Sequence, residues 1–193
     1  MNMQPTLNPT IELLSARRSA PVLAMQGPGP DEHQLETLLR IASRVPDHGK
    51  LAPWRFIVFE GAARERAGEI IAARFREKTP EASDQQVEIE RKRLLHAPAI
   101  VAVVSRAAPH AKIPEWEQVL SAGAACMALV TAANALGFAT NWLTQWYAYD
   151  TAVLASFGVA EGEKIAGFIH IGRKDTAVVD RPRPDLSDIV ARF

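Results

Sequence analysis

The first group of residues that could do chemistry is Arg17, Arg18 and Ser19. Two guanidinium groups and a hydroxyl in three residues can bind a phosphate through charge-assisted hydrogen bonds. An arginine pair at the end of a helix can also simply complement the helix dipole. The triplet therefore leaves a phosphate site and a purely structural role open.

The second group lies in the loop 44–54, which contains Arg44, Asp47, His48 and Lys50 between a predicted helix and a predicted strand. Short polar loops between regular elements frequently carry binding residues. The same composition also suits a turn in which Asp47 hydrogen-bonds to its own backbone. Both interpretations remain open from the residues alone.

The third group is the segment 138–146, in which an apolar run leads into Trp142 and Trp146. Aromatic side chains at the end of a strand can flank a planar ligand. A tryptophan there can equally belong to the core, with its indole N–H donating to a nearby acceptor.

Composition excludes several classes of protein. The chain has 193 residues with 22 basic and 22 acidic side chains, so its formal net charge is zero. This balance gives no electrostatic basis for binding duplex nucleic acid or an anionic membrane. The single cysteine, Cys126, excludes an intrachain disulfide, and its apolar neighbours predict a buried, unreactive thiol. The five histidines are scattered without a metal-binding motif, so we expect no metal site.

Two segments bear on localisation. The first ten residues are polar and lack the features of a signal peptide, which predicts a cytoplasmic protein. The segment 119–138 is long enough to span a membrane, but it is rich in alanine and contains Ser121, Thr131 and Asn134. We therefore interpret it as a core helix and expect no membrane partner.

Hydrophobic periodicity predicts helices that alternate with strands around one sheet, as one domain over residues 1–193. Two charged helices, 61–78 and 80–95, are expected to be a solvated excursion. The tail from Arg173 to Phe193 is polar and contains prolines, so it is predicted to be extended. The helices are predicted over residues 10–17, 31–45, 61–78, 80–95, 114–136 and 151–157, and the strands over 54–60, 99–105, 138–143 and 166–171.

Five motifs occur in order over nearly the whole chain. They are Ala16-Arg17-Arg18-Ser19, Arg44-Val45-Pro46-Asp47-His48 with Pro53-Trp54, Pro114 to Gln118 with Ser121-Ala122-Gly123, Leu136-Gly137-Phe138 with Trp142, and Gly167-Phe168-Ile169 with Ile171-Gly172. Together they resemble the nitroreductase-like FMN flavoprotein family, and most closely its YdjA-like branch.

The resemblance implies an α+β fold, with a central, mostly antiparallel sheet flanked by helices. It implies a homodimer that binds two FMN molecules at the subunit interface, and a C-terminal tail that extends across the partner. The implied activity is NAD(P)H oxidation, with hydride transfer through the flavin N5 to a small-molecule acceptor of the nitroaromatic or quinone type. The flavin carries this chemistry, so no catalytic side chain is predicted.

The resemblance also implies which residues bind FMN. The triplet falls near the phosphate and ribityl chain, and the segment 142–144 lines the isoalloxazine. Residues 121–126 match a stretch to which the family assigns nicotinamide binding. The full implied set is Arg17, Arg18, Ser19, Arg44, His48, Trp142, Leu143, Thr144, Gly172 and Arg173.

Other functions remain open at this point. A relative of this fold could catalyse a different dehydrogenation, because a fold does not determine the substrate. A flavin-binding sensor or carrier without turnover, and a helical interaction module without a ligand, are the other two alternatives. The flavin absorption bands of the purified protein, and their bleaching by NAD(P)H, distinguish these possibilities.

Overall fold

The structure, a computed structural model, describes residues 8–175 and 179–193. Part of the predicted tail, residues 176–178, and the first seven residues lie outside the described residues. The helices are α1 (Pro9–Ala16), α2 (Glu32–Ala42), α3 (Ala62–Lys78), α4 (Asp84–Arg91), α5 (Glu115–Ala135), α6 (Thr151–Ser156) and α7 (Leu186–Ile189). The strands are β1 (Trp54–Glu60), β2 (Ala99–Ser105), β3 (Ala139–Leu143) and β4 (Lys164–Gly172).

The four strands form one sheet in the order β1-β2-β4-β3, and every neighbouring pair is antiparallel. The central strand β2 is buried along its whole length, which confirms the prediction of a strand covered on both faces. The outer strands, β1 and β3, therefore lie at opposite edges of the sheet. The predicted α+β fold with an antiparallel sheet flanked by helices is confirmed.

Two hydrophobic layers cover the two faces of the sheet. On one face, Val101, Val103 and Ile169 pack with the buried side of α5 and with α2. On the other face, Ile100 and Phe168 pack with residues of α3 and α6. Side chains alternate between the faces along each strand, so one sheet supports both layers.

The long helix α5 is the core helix that the sequence predicts. By length and composition alone it could cross a membrane, and half of its most apolar window is buried inside the fold. Cys126 is completely buried in it, and burial raises the pKa of its thiol to about 12. The predicted burial of the thiol is confirmed, and a raised pKa disfavours the reactive thiolate form.

The charged helices α3 and α4 are more integrated than the sequence indicates. Ile71 of α3 is fully buried in the core, and Glu90 of α4 is 6% exposed. The Glu90 carboxylate accepts hydrogen bonds from Arg93 at 2.6 Å and from the Trp146 indole at 2.8 Å. The expectation of a solvated excursion is therefore wrong for the inner sides of these helices, because Ile71 packs in the core and the buried Glu90 carboxylate has hydrogen-bond donors.

The tail is only partly extended. Asp185 caps the short helix α7 by accepting a hydrogen bond from the Ser187 N–H at 2.9 Å. The tail also returns to its own chain, where Asp180 pairs with Arg18. Every described residue from 179 onward is exposed.

Candidate functional site

The Arg-Arg-Ser triplet follows α1 and lies beside the edge strand β3. The Ala20 N–H donates to the Thr140 carbonyl at 2.9 Å, and the Asn141 amide donates back to the Ala20 carbonyl at 2.6 Å. These two bonds fix the backbone directly after Ser19 against the sheet. The triplet is thus held on the outer edge of β3.

The two arginines of the triplet differ in their partners. The half-buried Arg17 guanidinium has no hydrogen-bond or ion-pair partner within residues 8–175 and 179–193. The Arg18 guanidinium is held by the Asp180 carboxylate, with Nη2 donating to Oδ2 at 2.5 Å. This hydrogen bond raises the pKa of Arg18 and lowers the pKa of Asp180. Arg17 therefore keeps free donors, whereas Nη1 and Nη2 of Arg18 already donate to described acceptors.

Two cavities adjoin the triplet. One of about 220 Å³ is strongly cationic, because four arginines line it and no acidic residue is among its described lining residues. Its lining consists of Arg17, Arg18, Ser19, Val179, Arg181 and Arg183. The other, of about 480 Å³, is lined by Ala16, Arg17, Arg18, Asn134, Gly137, Phe138, Ala139 and Lys174. The donor chemistry of the first cavity fits a phosphate monoester.

Gly172 and Arg173 lie at the end of β4 and make structural contacts. A Cβ atom at Gly172 would come within 2.8 Å of Pro98, so this residue permits close packing. The Arg173 guanidinium lies 4.1 Å from the centroid of the Phe138 ring and donates to the Gly137 carbonyl at 2.9 Å. Arg173 thus packs on the turn that follows α5. It therefore has fewer free hydrogen-bond donors than Arg17.

Residues 142–144 have three different environments. The Trp142 indole covers Gly167 and donates to the Ala166 carbonyl at 3.1 Å, so this indole has the partner that a packed tryptophan needs. Thr144 is exposed. Leu143 borders an apolar cavity of about 360 Å³ with a basic rim, lined further by Val22, Leu23, Ile89, Lys92, Arg93, His96, Gln145 and Tyr147. A planar aromatic ring can be accommodated there.

The loop that carries His48 is rigidly built. The Asp47 carboxylate accepts hydrogen bonds from the N–H groups of Leu51 at 3.0 Å and Ala52 at 2.8 Å, as the turn interpretation predicted. Lys50 and Ala52 have positive φ angles of 58° and 45°, which non-glycine residues adopt only where surrounding contacts impose them. The loop therefore presents His48 in one defined conformation.

His48 contacts the first turns of α5. Its Nδ1 lies 2.7 Å from Oε2 of Glu117. Beside this pair is a cavity of about 300 Å³, lined by Pro46, His48, Glu117, Leu120, Ser121 and Ala124. Arg44 is exposed at the start of the loop, and its guanidinium has no partner in the described part of the chain.

Two groups of candidate residues thus lie at opposite ends of α5. His48 contacts Glu117, whereas the triplet shares a cavity with Asn134. These helix positions are seventeen residues apart, which at 1.5 Å per residue corresponds to about 25 Å. Within one subunit, His48 and the Arg17 guanidinium are therefore too far apart to contact the same part of one small ligand.

Several residues at these cavities were missed by the sequence interpretation. Glu117 lies in a family motif, and its place in the first turn of a helix is the sequence signal that could have identified it. Arg181 and Arg183 belong to the tail, where nothing in the sequence indicates that they return to Arg17. His96 is partly buried at the apolar cavity, and burial lowers its pKa.

His170 is a buried histidine that the sequence did not distinguish from the others. It is 1% exposed, and neither ring nitrogen has a hydrogen-bond partner among the described residues. Burial lowers its pKa to about 4, with a smaller effect from His96. His170 is therefore neutral at physiological pH.

Comparisons with known proteins agree with this architecture. The chain is 38% identical over 167 residues to "Putative NAD(P)H nitroreductase YdjA" of Escherichia coli (strain K12), covering 84% of this chain and 86% of that protein. A Haemophilus influenzae protein named "Putative NAD(P)H nitroreductase" is 35% identical over 164 residues, with the same coverage.

Two solved structures share the fold. The nitroreductase-like family protein from Bacillus cereus superposes with a TM-score of 0.84 at 21% identity, covering 99% of both chains. The FMN-dependent nitroreductase NfnB from Mycobacterium smegmatis, solved in complex with NADPH, has a TM-score of 0.73 at 21% identity, covering 95% of this chain and 97% of that one. The sequence profile of the nitroreductase family matches residues 15–173, and the chain belongs to that family.

Proposed function

We propose that this protein is a homodimeric, FMN-dependent NAD(P)H oxidoreductase that reduces a nitroaromatic or quinone-type acceptor. The observation that carries the proposal is the unpaired Arg17 guanidinium in a cavity lined by three more arginines. These donors suit the dianionic phosphate of FMN, and the apolar cavity at Leu143 suits a flat ring. Relatives named NAD(P)H nitroreductase and an FMN-dependent structural neighbour support the same assignment.

The residues of the chain bind and orient the cofactor in this proposal. Arg17, Ser19 and Arg181 hold the phosphate, while Leu143 and Thr144 flank the isoalloxazine. FMN, when bound, supplies hydride acceptance and donation at its N5 atom. The protein contributes orientation and a partly apolar environment, so no catalytic acid or base is assigned.

The exposed face of α5 supports a two-fold dimer with a shared site. Exposed apolar residues form a stripe along α5, with Trp116 at 67%, Leu120 at 53% and Met127 at 37% exposure, and the position of a Cβ at Gly123 is open. Antiparallel pairing of α5 with its copy through this stripe would cover it. The same pairing brings the His48 end of one subunit beside the Arg17 end of the other, so that both groups reach one FMN.

The absorption spectrum of the purified protein tests the proposal. We expect two flavin bands, bleaching by NAD(P)H in the absence of oxygen, and recovery of colour on addition of a quinone or nitroaromatic. A colourless protein that binds no added FMN would overturn the proposal. A yellow protein that NAD(P)H does not bleach would instead identify a flavin carrier or sensor.

A further inference from the structure

The contact between Glu117 and Nδ1 of His48 determines whether the other ring nitrogen, Nε2, carries a proton. The carboxylate can only accept, so at 2.7 Å the His48 Nδ1 carries the proton. In a neutral ring, Nε2 then has no proton and is a hydrogen-bond acceptor. The pair thereby selects one of the two tautomers of His48.

The surroundings of the pair are built to keep this orientation. The Ser121 hydroxyl donates to the Pro46 carbonyl at 2.7 Å and accepts from the Trp54 indole at 3.1 Å. These bonds attach the His48 loop to the same helix that carries Glu117. The backbone that carries His48 is therefore fixed relative to the helix that carries Glu117, beside the 300 Å³ cavity, and the two side chains meet at its exposed edge.

We propose that Glu117 is a positioning residue that holds His48 in the Nδ1–H form, so that Nε2 accepts a hydrogen bond from the N–H at the pyrimidine edge of FMN. This inference rests on the proposed function. Oxidised isoalloxazine has a single ring N–H, at N3, between two carbonyl groups. An acceptor nitrogen is the complement of that N–H, whereas a donor at the same place would be left unpaired.

Glu117 could instead serve only to stabilise α5, and that explanation predicts a different result for Glu117→Gln. Acidic residues in the first turn of a helix stabilise it through the helix dipole, whatever they contact. Glu115 lies in the same first turn of α5, and its side chain has no partner in the described ranges 8–175 and 179–193. Glu115→Gln is therefore a matched control that removes the same charge without affecting His48.

The test measures tautomer and affinity in the full-length protein. Histidine-¹⁵N NMR, with His48 assigned from His48→Gln, should report the Nδ1–H form in wild type and loss of that form in Glu117→Gln. The Kd for FMN should rise about three- to tenfold in Glu117→Gln, less than on loss of a direct charge-assisted bond, because Glu117 acts through His48 and the pair is exposed to solvent. Glu115→Gln should match wild type in both measurements.

A double-mutant cycle decides whether Glu117 acts through His48. In the His48→Gln background, Glu117→Gln should cause no further loss of FMN affinity. Equal losses in both backgrounds, or an Nε2–H form in wild type, would overturn the inference while the wild type remains yellow and reducible by NAD(P)H. A wild type that binds no FMN would overturn both the inference and the proposed function.

Discussion

The two ends of α5 present different kinds of binding site. At the N-terminal end, the His48 loop is held by Asp47 and Ser121, and the side chains of Asp47 and His48 already have partners within the chain. At the C-terminal end, Arg17 has no partner within the described residues, and the cavity beside it is lined by four arginines. One end is organised by hydrogen bonds within the chain, whereas the other collects unneutralised positive charge.

This difference indicates how each end would contribute to binding. An organised loop loses little conformational entropy when a ligand binds, so it contributes mainly orientation. An anion that binds among clustered guanidinium groups reduces the repulsion between their positive charges, so this end contributes mainly affinity. We therefore expect substitutions at the arginine end to change FMN affinity more than substitutions at the His48 end.

The largest effect should come from breaking the dimer, because this separates the His48 end of one subunit from the Arg17 end of the other. Met127→Glu places a carboxylate in the exposed stripe of α5, where pairing of two subunits would bury it without a partner. Such a charge costs about 3–5 kcal/mol, which should weaken the dimer at least about a hundredfold and release FMN with it. Analytical ultracentrifugation and the flavin spectrum measure both effects.

The control for this prediction is Tyr149→Glu. Tyr149 is 70% exposed but does not belong to α5. That variant should remain dimeric and yellow. A Met127→Glu protein that is monomeric yet retains its FMN would contradict the shared site.

The second prediction separates Arg17 from Arg18. Arg17→Ala should weaken FMN binding about ten- to a hundredfold, because a charge-assisted hydrogen bond contributes about 1.5–3 kcal/mol. Arg18→Ala should release the tail, which Asp180 attaches to Arg18, and should reduce FMN affinity less. Titration with FMN measures both, and Arg66→Ala, which removes an exposed arginine of α3, is the control for net charge. Full FMN retention in both Arg17→Ala and Arg18→Ala would show that the phosphate lies elsewhere.

The third prediction concerns Asp150, which lies at neither end of α5, so its substitution should change stability without changing FMN binding. Burial of Asp150 would raise its pKa, but hydrogen bonds from Lys78, the Val153 N–H and Arg74 outweigh burial and lower the pKa to about 2. Because the folded pKa lies below the unfolded value, this stabilisation is present above about pH 4 and is lost as the pH falls through 2. Asp150→Asn should therefore lower the free energy of unfolding by about 2 kcal/mol at neutral pH.

Urea unfolding at pH 7 and at low pH measures this change. The difference between wild type and Asp150→Asn should shrink towards pH 2, while the affinity of the folded protein for FMN stays unchanged. The exposed Asp84, which pairs with Arg76 at 2.5 Å, provides the control variant Asp84→Asn. An equal loss of stability in both variants would contradict a special contribution from Asp150.

The smallest effect is expected at Ser121. Ser121→Ala removes the hydroxyl that joins Pro46 to the Trp54 indole, which should cost about 1 kcal/mol of stability and lower FMN affinity only a few-fold. Thermal unfolding and FMN titration, with the exposed Ser156→Ala as control, measure the two effects. If Ser121→Ala weakened FMN binding as much as Arg17→Ala, the distinction between the two ends would be wrong.

The sequence by itself determined most of the local structure. The apolar run 99–105 predicted the buried strand β2, and Asp31 before a helical repeat predicted the start of α2, where it forms a capping box with Gln34. The family was recognisable from five short motifs, and the profile match confirms it. These features were predictable because periodicity, caps and motifs are properties of neighbouring residues.

Only the tertiary structure decided how distant residues meet. Arg17 and Arg18 are indistinguishable in the sequence, and their difference arises because Asp180, 162 residues after Arg18, returns to pair with one of them. Likewise His48 and Glu117 are 69 residues apart and meet only because the loop before β1 packs on α5. Pairing of this kind depends on the path of the whole chain through the sheet, so no local pattern encodes it.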